Sequence, residues 1–225
     1  TATLLEDGTV LIAGGMRPDG SEHQSAWRFF PRRGGSGQLL QQGPMCRPRA
    51  FHTVSKLPDL FNMAAVIGGK GTRGDGSHGP HAEIEIFTTN PNQGQCSCGG
   101  LAAPSAEVGC FVHPRDRELS EPRWGHKTVL VDSDRYVVVG GYASESGDQM
   151  ATSVEMLIGE TLSVASGVGT ITDGRAAAAI AGIGEDAILV AGGCGAGPAN
   201  PSGDLKDIRT LWACPSASPT LTATK

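Results

Sequence analysis

The sequence predicts an all-β protein assembled from four copies of one small antiparallel sheet, and three observations predict it. An apolar run closed by two glycines occurs four times: GTVLIAGG ends at Gly14 and Gly15, NMAAVIGG at Gly68 and Gly69, RYVVVGG at Gly140 and Gly141, and DAILVAGG at Gly192 and Gly193. The residues flanking these pairs keep register with them. No stretch carries the 3.6-residue apolar period of a helix of useful length. Repetition at a period of about fifty residues marks an architecture in which each copy is one supersecondary unit.

Each unit reads as a meander. A first strand (TATLL, FHTVSKL, HKTVLVD) leads through a tight turn such as EDG, DSD or GED into the diglycine-terminated strand. That second strand is apolar on both faces, which places it between neighbouring sheets. Glycines end it because the backbone there needs a positive φ or approaches another chain closely. A long polar loop then leads to an alternating third strand, SAWRFF, AEIEIF, SVEMLI or DIRTLW. Arg28, Glu85, Glu155 and Arg209 fall 13, 16, 14 and 16 residues past the second glycine. A fourth strand is signalled by GQLLQQ, by LSVASG and by TLTAT at 220–224.

The upstream side is in register too. Seventeen residues separate Arg123 from Gly140 and Arg175 from Gly192, and nineteen separate Arg49 from Gly68. Three residues after each arginine stand His52, His126 and Ala178; in the first unit the equivalent position falls before Thr1. A group that recurs once per unit is read as structural, and the forked donors of Arg and the ring nitrogens of His suit it to bonding carbonyls between units.

Arg-x-x-His, an apolar strand ending in Gly-Gly, and a Glu followed by two apolar residues some fifteen positions on resemble the kelch repeat, including its bacterial and galactose-oxidase-like varieties. The resemblance covers the chain as units of about 1–46, 47–119, 120–171 and 172–225. It implies a β-propeller built from four kelch-like four-stranded antiparallel blades. Four blades either close on themselves, with residues near 220–224 completing the first blade, or form part of a larger ring completed by further blades or another chain; the larger ring is the expectation. Two departures stand out. The tryptophan usual in the fourth strand is missing from the first three units, and Ala178 replaces the histidine of the last.

Composition narrows the function classes. The chain has 225 residues, 33 of them Gly and 14 Pro, with a formal charge of −5. That balance gives no reason to expect nucleic-acid or anionic-membrane binding, which need clustered Lys and Arg. No apolar run approaches the ~20 residues of a membrane-spanning helix. Six cysteines permit up to three disulfides and favour an oxidising, extracellular or periplasmic setting. The second unit carries an insertion at about 90–115, where Phe87 to Arg123 spans 36 residues against 19 from Phe30 to Arg49. Cys110 paired with Cys96 or Cys98 would rigidify that extension.

Function is expected on the face that carries the long loops between second and third strands, because binding residues concentrate on loops held by a rigid scaffold. The candidate ligand-binding residues are His23, Arg73, Asp75, His78, His81, Tyr142, Glu145 and Asp148, and the expected partner is a protein or a glycan. The loop RGDGSHGPHAE places Asp75, His78, His81 and Glu83 close in sequence; a solvated loop is favoured over a metal site, and its RGD string is short enough to arise by chance. There is no nucleophile elbow, P-loop or zinc-protease motif, so no catalytic residue or cofactor is assigned. The alternative is the propeller portion of a secreted copper-radical oxidase or other carbohydrate-active enzyme, with copper or calcium as the ion. Tyr136 and Tyr142 lack the oxidase motif, and the sequence does not bring Glu22, Glu145 or Asp148 to hydrolytic separation.

Overall fold

Each diglycine-terminated run is the second strand of an antiparallel meander. In the first unit the chain reverses at Asp7 and Gly8: Leu5 N–H donates to Thr9 O at 2.8 Å, and Asp7 Oδ1 accepts from Thr9 N–H at 3.0 Å. The computed structural model describes residues 1–31, 35–57, 60, 62–90, 96–98, 105–114, 116–159, 162–171, 174–183, 187–195 and 208–212. Every regular element among them is a strand.

The first sheet runs β1 (Ala2–Leu4), β2 (Val10–Ala13), β3 (Ala26–Phe30) and β4 (Gln38–Gln41) in sequence order. The second unit contributes β5 (Thr53–Lys56) and β6 (Ala64–Ile67), then a projecting hairpin of β7 (Lys70–Thr72) and β8 (His78–Pro80), then β9 (Ile84–Thr88) and β10 (Cys110–Val112); β5, β6, β9 and β10 form its sheet. The third sheet is β11 (Lys127–Leu130), β12 (Arg135–Val139), β13 (Ser153–Ile158) and β14 (Ser163–Thr170). In the fourth unit a short ribbon of β15 (Arg175–Ala176) and β18 (Cys194–Gly195) flanks a sheet of β16 (Ala179–Gly182), β17 (Ala187–Ala191) and β19 (Ile208–Trp212). The segment TLTAT lies outside the described residues.

Register corrects one equivalence. Ile12 pairs with Trp27 as Val66 pairs with Glu85, Val138 with Glu155 and Val190 with Arg209. Trp27 therefore occupies the position of the recurrent Glu, and Arg28 turns to the other face, where it pairs with Asp7 and donates to Thr9 Oγ1 at 2.7 Å. The insertion also differs from a mere extension. Its end, Cys110 to Val112, is the fourth strand of the second sheet, and Phe111 is fully buried against Phe87.

Successive sheets share apolar cores. Leu11, Ala13 and Ala26 meet Ala64, Val66 and Phe87; Ile67, Ile84 and Ile86 meet Tyr136, Val138 and Leu157; Val137, Val139 and Val154 meet Ala178, Ile188 and Val190. The second strands of the second and third units thus bury both faces, as their unbroken apolar runs require, whereas β2 leaves Ile12 exposed. First strands contact one another in order, β1 with β5, β5 with β11 and β11 with β16.

The glycine pairs act where sheets meet. Gly14, Gly68, Gly140 and Gly192 have φ between 57° and 69°, and the glycines that follow them have φ between 93° and 115°. A Cβ on Gly14 would stand 2.5 Å from Arg49 O and 2.6 Å from the His52 ring; one on Gly68 would stand 2.7 Å from Arg123 O and 2.8 Å from the His126 ring. The first glycine thus admits the Arg-x-x-His turn of the next unit. The second fits against its own unit: a Cβ on Gly69 would lie 2.9 Å from Ala50 O, and one on Gly141 2.7 Å from Trp124 O. Backbone bonds then join the units, since Gly15, Gly69 and Gly141 N–H donate to Arg49, Arg123 and Arg175 O at 3.0, 2.9 and 2.8 Å.

The repeated arginines brace their own units, which corrects the expectation that they bond between units. Arg49 Nη1 donates to Gly68 O at 2.8 Å and Arg123 Nη1 to Gly140 O at 3.3 Å, while their Nη2 groups pair with Glu85 and Glu155. Both pairs are fully buried. The carboxylates are further satisfied by the incoming chain, Glu85 by Cys46 and Arg47 N–H and Glu155 by Ser120 N–H. Removing one member of such a pair strands a buried charge, typically a loss of about 3–5 kcal/mol. The histidines do reach across: His52 Nε2 lies 3.0 Å from Thr1 Oγ1, and His126 Nε2 lies 3.0 Å from Thr53 Oγ1. Burial holds both rings below the usual 6.5, His126 at about 3, so both are neutral at pH 7.

The cysteines of the insertion pair in two directions. Cys96 bonds Cys110, one of the expected alternatives, and Cys98 bonds Cys46, which lies on the segment joining the first two units. Both pairings are compatible with an oxidising extracellular environment.

Gly140→Ala is expected to destabilise the protein by about 2–3 kcal/mol, through steric conflict with the Arg175 carbonyl plus an unfavourable φ. Gly15→Ala, whose Cβ would meet nothing within 4 Å, is expected to lose only about 1 kcal/mol. Denaturant unfolding of the two variants measures the difference, and equal losses would contradict the close-approach explanation.

Candidate ligand-binding face

The loops between second and third strands leave the sheets on the same side as the links that enter each unit: Met45 N–H donates to Gln24 O at 2.9 Å, and Trp124 and Tyr142 exchange backbone bonds. Two of these loops repeat a local motif, Arg17-Pro18-Asp19-Gly20-Ser21 and Arg73-Gly74-Asp75-Gly76-Ser77. In each, Asp Oδ1 accepts from the Ser N–H at 2.9 Å and from its hydroxyl, and the Arg N–H donates to Ser O. The same bonds hold the Asp19 and Asp75 carboxyls below the usual range. Arg73 braces the hairpin through Nε to Pro80 O at 2.8 Å. Asp148 does equivalent work in the third unit, accepting from Ser144 and Ser146 hydroxyls at 2.5 and 2.6 Å. Arg73, Asp75 and Asp148 thus shape the loops.

His78 and Glu145 are brought together. At the hairpin of the second unit, His78 Nδ1 lies 2.6 Å from Glu145 Oε1 of the third, and its Nε2 lies 3.0 Å from Glu22 Oε1 of the first. Lys70 Nζ adds a bond to Glu145 O at 2.9 Å. Loops of three consecutive units therefore converge on one imidazole. Only the protonated ring can donate to both carboxylates. Burial opposes that charge, but Glu22 and Glu145 outweigh it and raise the His78 pKa above 6.5. Glu22 entered the sequence reading only as one of several scattered acids; its role comes from a contact 56 residues apart.

The remaining candidates separate from this group. His81 is wholly buried, with Nδ1 2.8 Å from Glu83, and burial lowers its pKa despite that carboxylate. His81 and Glu83 thus pair with each other while Asp75 and His78 bond elsewhere, and the four do not assemble as one ligand set. His23 is half-buried beside Ser25. Tyr142 stacks on Trp124, with ring centroids 4.3 Å apart, and Trp124 in turn packs on Phe51 at 5.3 Å. Lys70 Nζ stands 5.3 Å from the Trp124 ring centroid. Burial, together with the Cys194 thiol that shares a hydrogen bond with it, raises the Tyr142 pKa. Among the described residues no three His, Cys, Asp or Glu ligand atoms gather at Tyr142; the one such group is Cys46, Glu85 and Cys98.

A residue that sequence reasoning missed is Phe51. It occupies the third position of the Arg-x-x-His turn in left-handed backbone, φ 56°, while remaining 48% exposed. For a bulky side chain that conformation costs about 1–2 kcal/mol. A concavity of about 600 Å³ opens beside the Cys46–Cys98 bridge and is lined by Gln24, Arg47, His113 and Glu118 among others.

No protein-family model matches the chain, and no curated protein sequence matches it. Among solved structures it is similar in fold to the one described as "Structure of YjhT", with a TM-score of 0.63 at 15% identity, over 97% of this chain and 66% of that one. The chain thus spans just under two thirds of that protein's length.

The His78 bridge has a pH signature. Because the folded pKa is raised, its stabilisation is complete below the unfolded value of about 6.5 and is lost as pH rises through the folded value. NMR titration is expected to place the His78 midpoint above 6.5, and Glu145→Gln to lower it; a wild-type midpoint at or below 6.5 would contradict the bridge.

Proposed function

We propose that the four sheets are blades of a kelch-like β-propeller and that the protein is a non-catalytic module binding a protein or glycan on its long-loop face. Several observations support the propeller. First strands follow one another side by side, and each of the first three glycine pairs receives the turn of the next unit. The ring extends beyond four blades in this reading. Ile12 is 37% exposed on the outer face of the first sheet, whereas its equivalents Val66 and Val138, packed against a preceding sheet, are fully buried. The disulfides support an extracellular setting.

The convergence of three loops on His78 carries the binding reading. Binding residues concentrate on loops held by a rigid scaffold, and here loops of three units present a shared ionic bridge with aromatic rings ordered beside it. A second reading, the propeller portion of a copper-radical oxidase, takes support from Cys194 lying against Tyr142; stoichiometric copper in the purified protein would favour it.

Ligands selected from glycan arrays and peptide display libraries test the site. Lys70→Ala/Glu145→Ala is expected to weaken their binding at least tenfold. Ser133→Ala, in the turn between β11 and β12 at the opposite end of the sheets, is expected to leave it unchanged. The reverse pattern would contradict the proposal.

A further inference from the structure

We infer that Phe51 and Trp124 form a stacking floor for the ring of a neutral saccharide, an inference that rests on the long-loop face being the binding surface. The starting observation is a residue type that neither backbone nor burial explains. The third position of the Arg-x-x-His turn is left-handed in three units, with φ of 56° at Phe51, 66° at Gly125 and 54° at Ala177. Its geometry is shared because the turns link end to end: Gly125 N–H donates to Phe51 O and Ala177 N–H to Gly125 O, both at 2.9 Å. The other two units fill it with Gly, which such a conformation favours, and with Ala, the smallest side chain. The second unit instead holds a phenyl ring there and leaves it half exposed. The turn imposes this backbone on whichever residue stands there, as Ala177 shows; what sets the second unit apart is an aromatic ring with an open face that a ligand can cover.

The surroundings indicate what that is. Trp124 is fixed by its indole N–H donating to Ser144 O at 2.8 Å and by Tyr142 stacked against it. Phe51 meets it at 46°, so the two rings make a shallow angled floor. Along one side run Lys70, His78, Glu145 and Glu22, tied to one another as two carboxylates with one ammonium and an imidazole that is the second cation when protonated. With the ring protonated their charges offset, which gives no preference for an ionic ligand. Their donors and acceptors are mixed, which matches a polyol. A pyranose has one apolar C–H face for the rings and hydroxyls at its edge that both donate and accept. Ligand sites of this kind combine aromatic lining with a few placed polar groups.

The test uses the full chain and a panel of neutral oligosaccharides based on glucose, galactose, mannose and N-acetylglucosamine, read by calorimetry and tryptophan fluorescence. At least one is expected to bind and to perturb the fluorescence. Phe51→Gly is expected to weaken that binding at least tenfold while leaving Tm unchanged or raised, and Phe51→Trp to retain it. A lower Tm for Phe51→Gly would assign the ring to the fold and overturn the inference. So would undiminished binding by that variant, or no binding by any oligosaccharide of the panel. If Lys70→Ala/Glu145→Ala abolishes binding while Phe51→Gly does not, the stacking floor fails and the binding face stands; if neither variant matters, both fail.

Discussion

Everything else in this chain depends on how closely one sheet's turn approaches the end of the preceding sheet's second strand. Where Arg49, Arg123 and Arg175 present their carbonyls, the strand before them ends in a glycine with no room for a methyl group. The glycine that follows donates its N–H to that carbonyl, while the arginine side chain reaches back to the diglycine carbonyl of its own sheet. One short segment thus satisfies backbone groups of two sheets. Buried polar groups must be paired, and here the pairing is what sets the spacing of the sheets.

The candidate site inherits its order from that spacing. Because the units succeed one another at fixed separation, loops from the first three end side by side, and a hairpin on the second can place one imidazole between carboxylates on the first and third. The left-handed turn that lets units link also presents Phe51, and Trp124 sits in the equivalent turn of the next unit, one residue before the left-handed Gly125. The architecture and the proposed binding surface are products of one repeated segment, with function added where individual units depart from the repeat.

The architecture was legible because it rests on short-range regularities. Gly-Gly after an apolar run, Arg seventeen or nineteen residues before it and an alternating strand after it are all visible as spacing. What was not legible lies in pairings across units or in single-residue register. Arg28 falls at the distance expected of the recurrent Glu, yet the loop before it is one residue out of step, so Trp27 faces where Glu85 and Glu155 face. Cys98 was an alternative partner for Cys110; it bonds instead to Cys46 on the segment between the first two units, a partner 52 residues away. The roles of Glu22 and Phe51 depend on neighbours more than fifty residues away, which no local pattern encodes.

Amide hydrogen exchange at Gly15, Gly69 and Gly141 tests the central claim most directly. If these N–H groups hold successive sheets together, they exchange only through global unfolding and are as protected as Val66 and Val138 in the strand interiors. Exchange as fast as that of exposed loop amides such as Ser146, under conditions where the strands remain protected, would show that the sheets are not joined there.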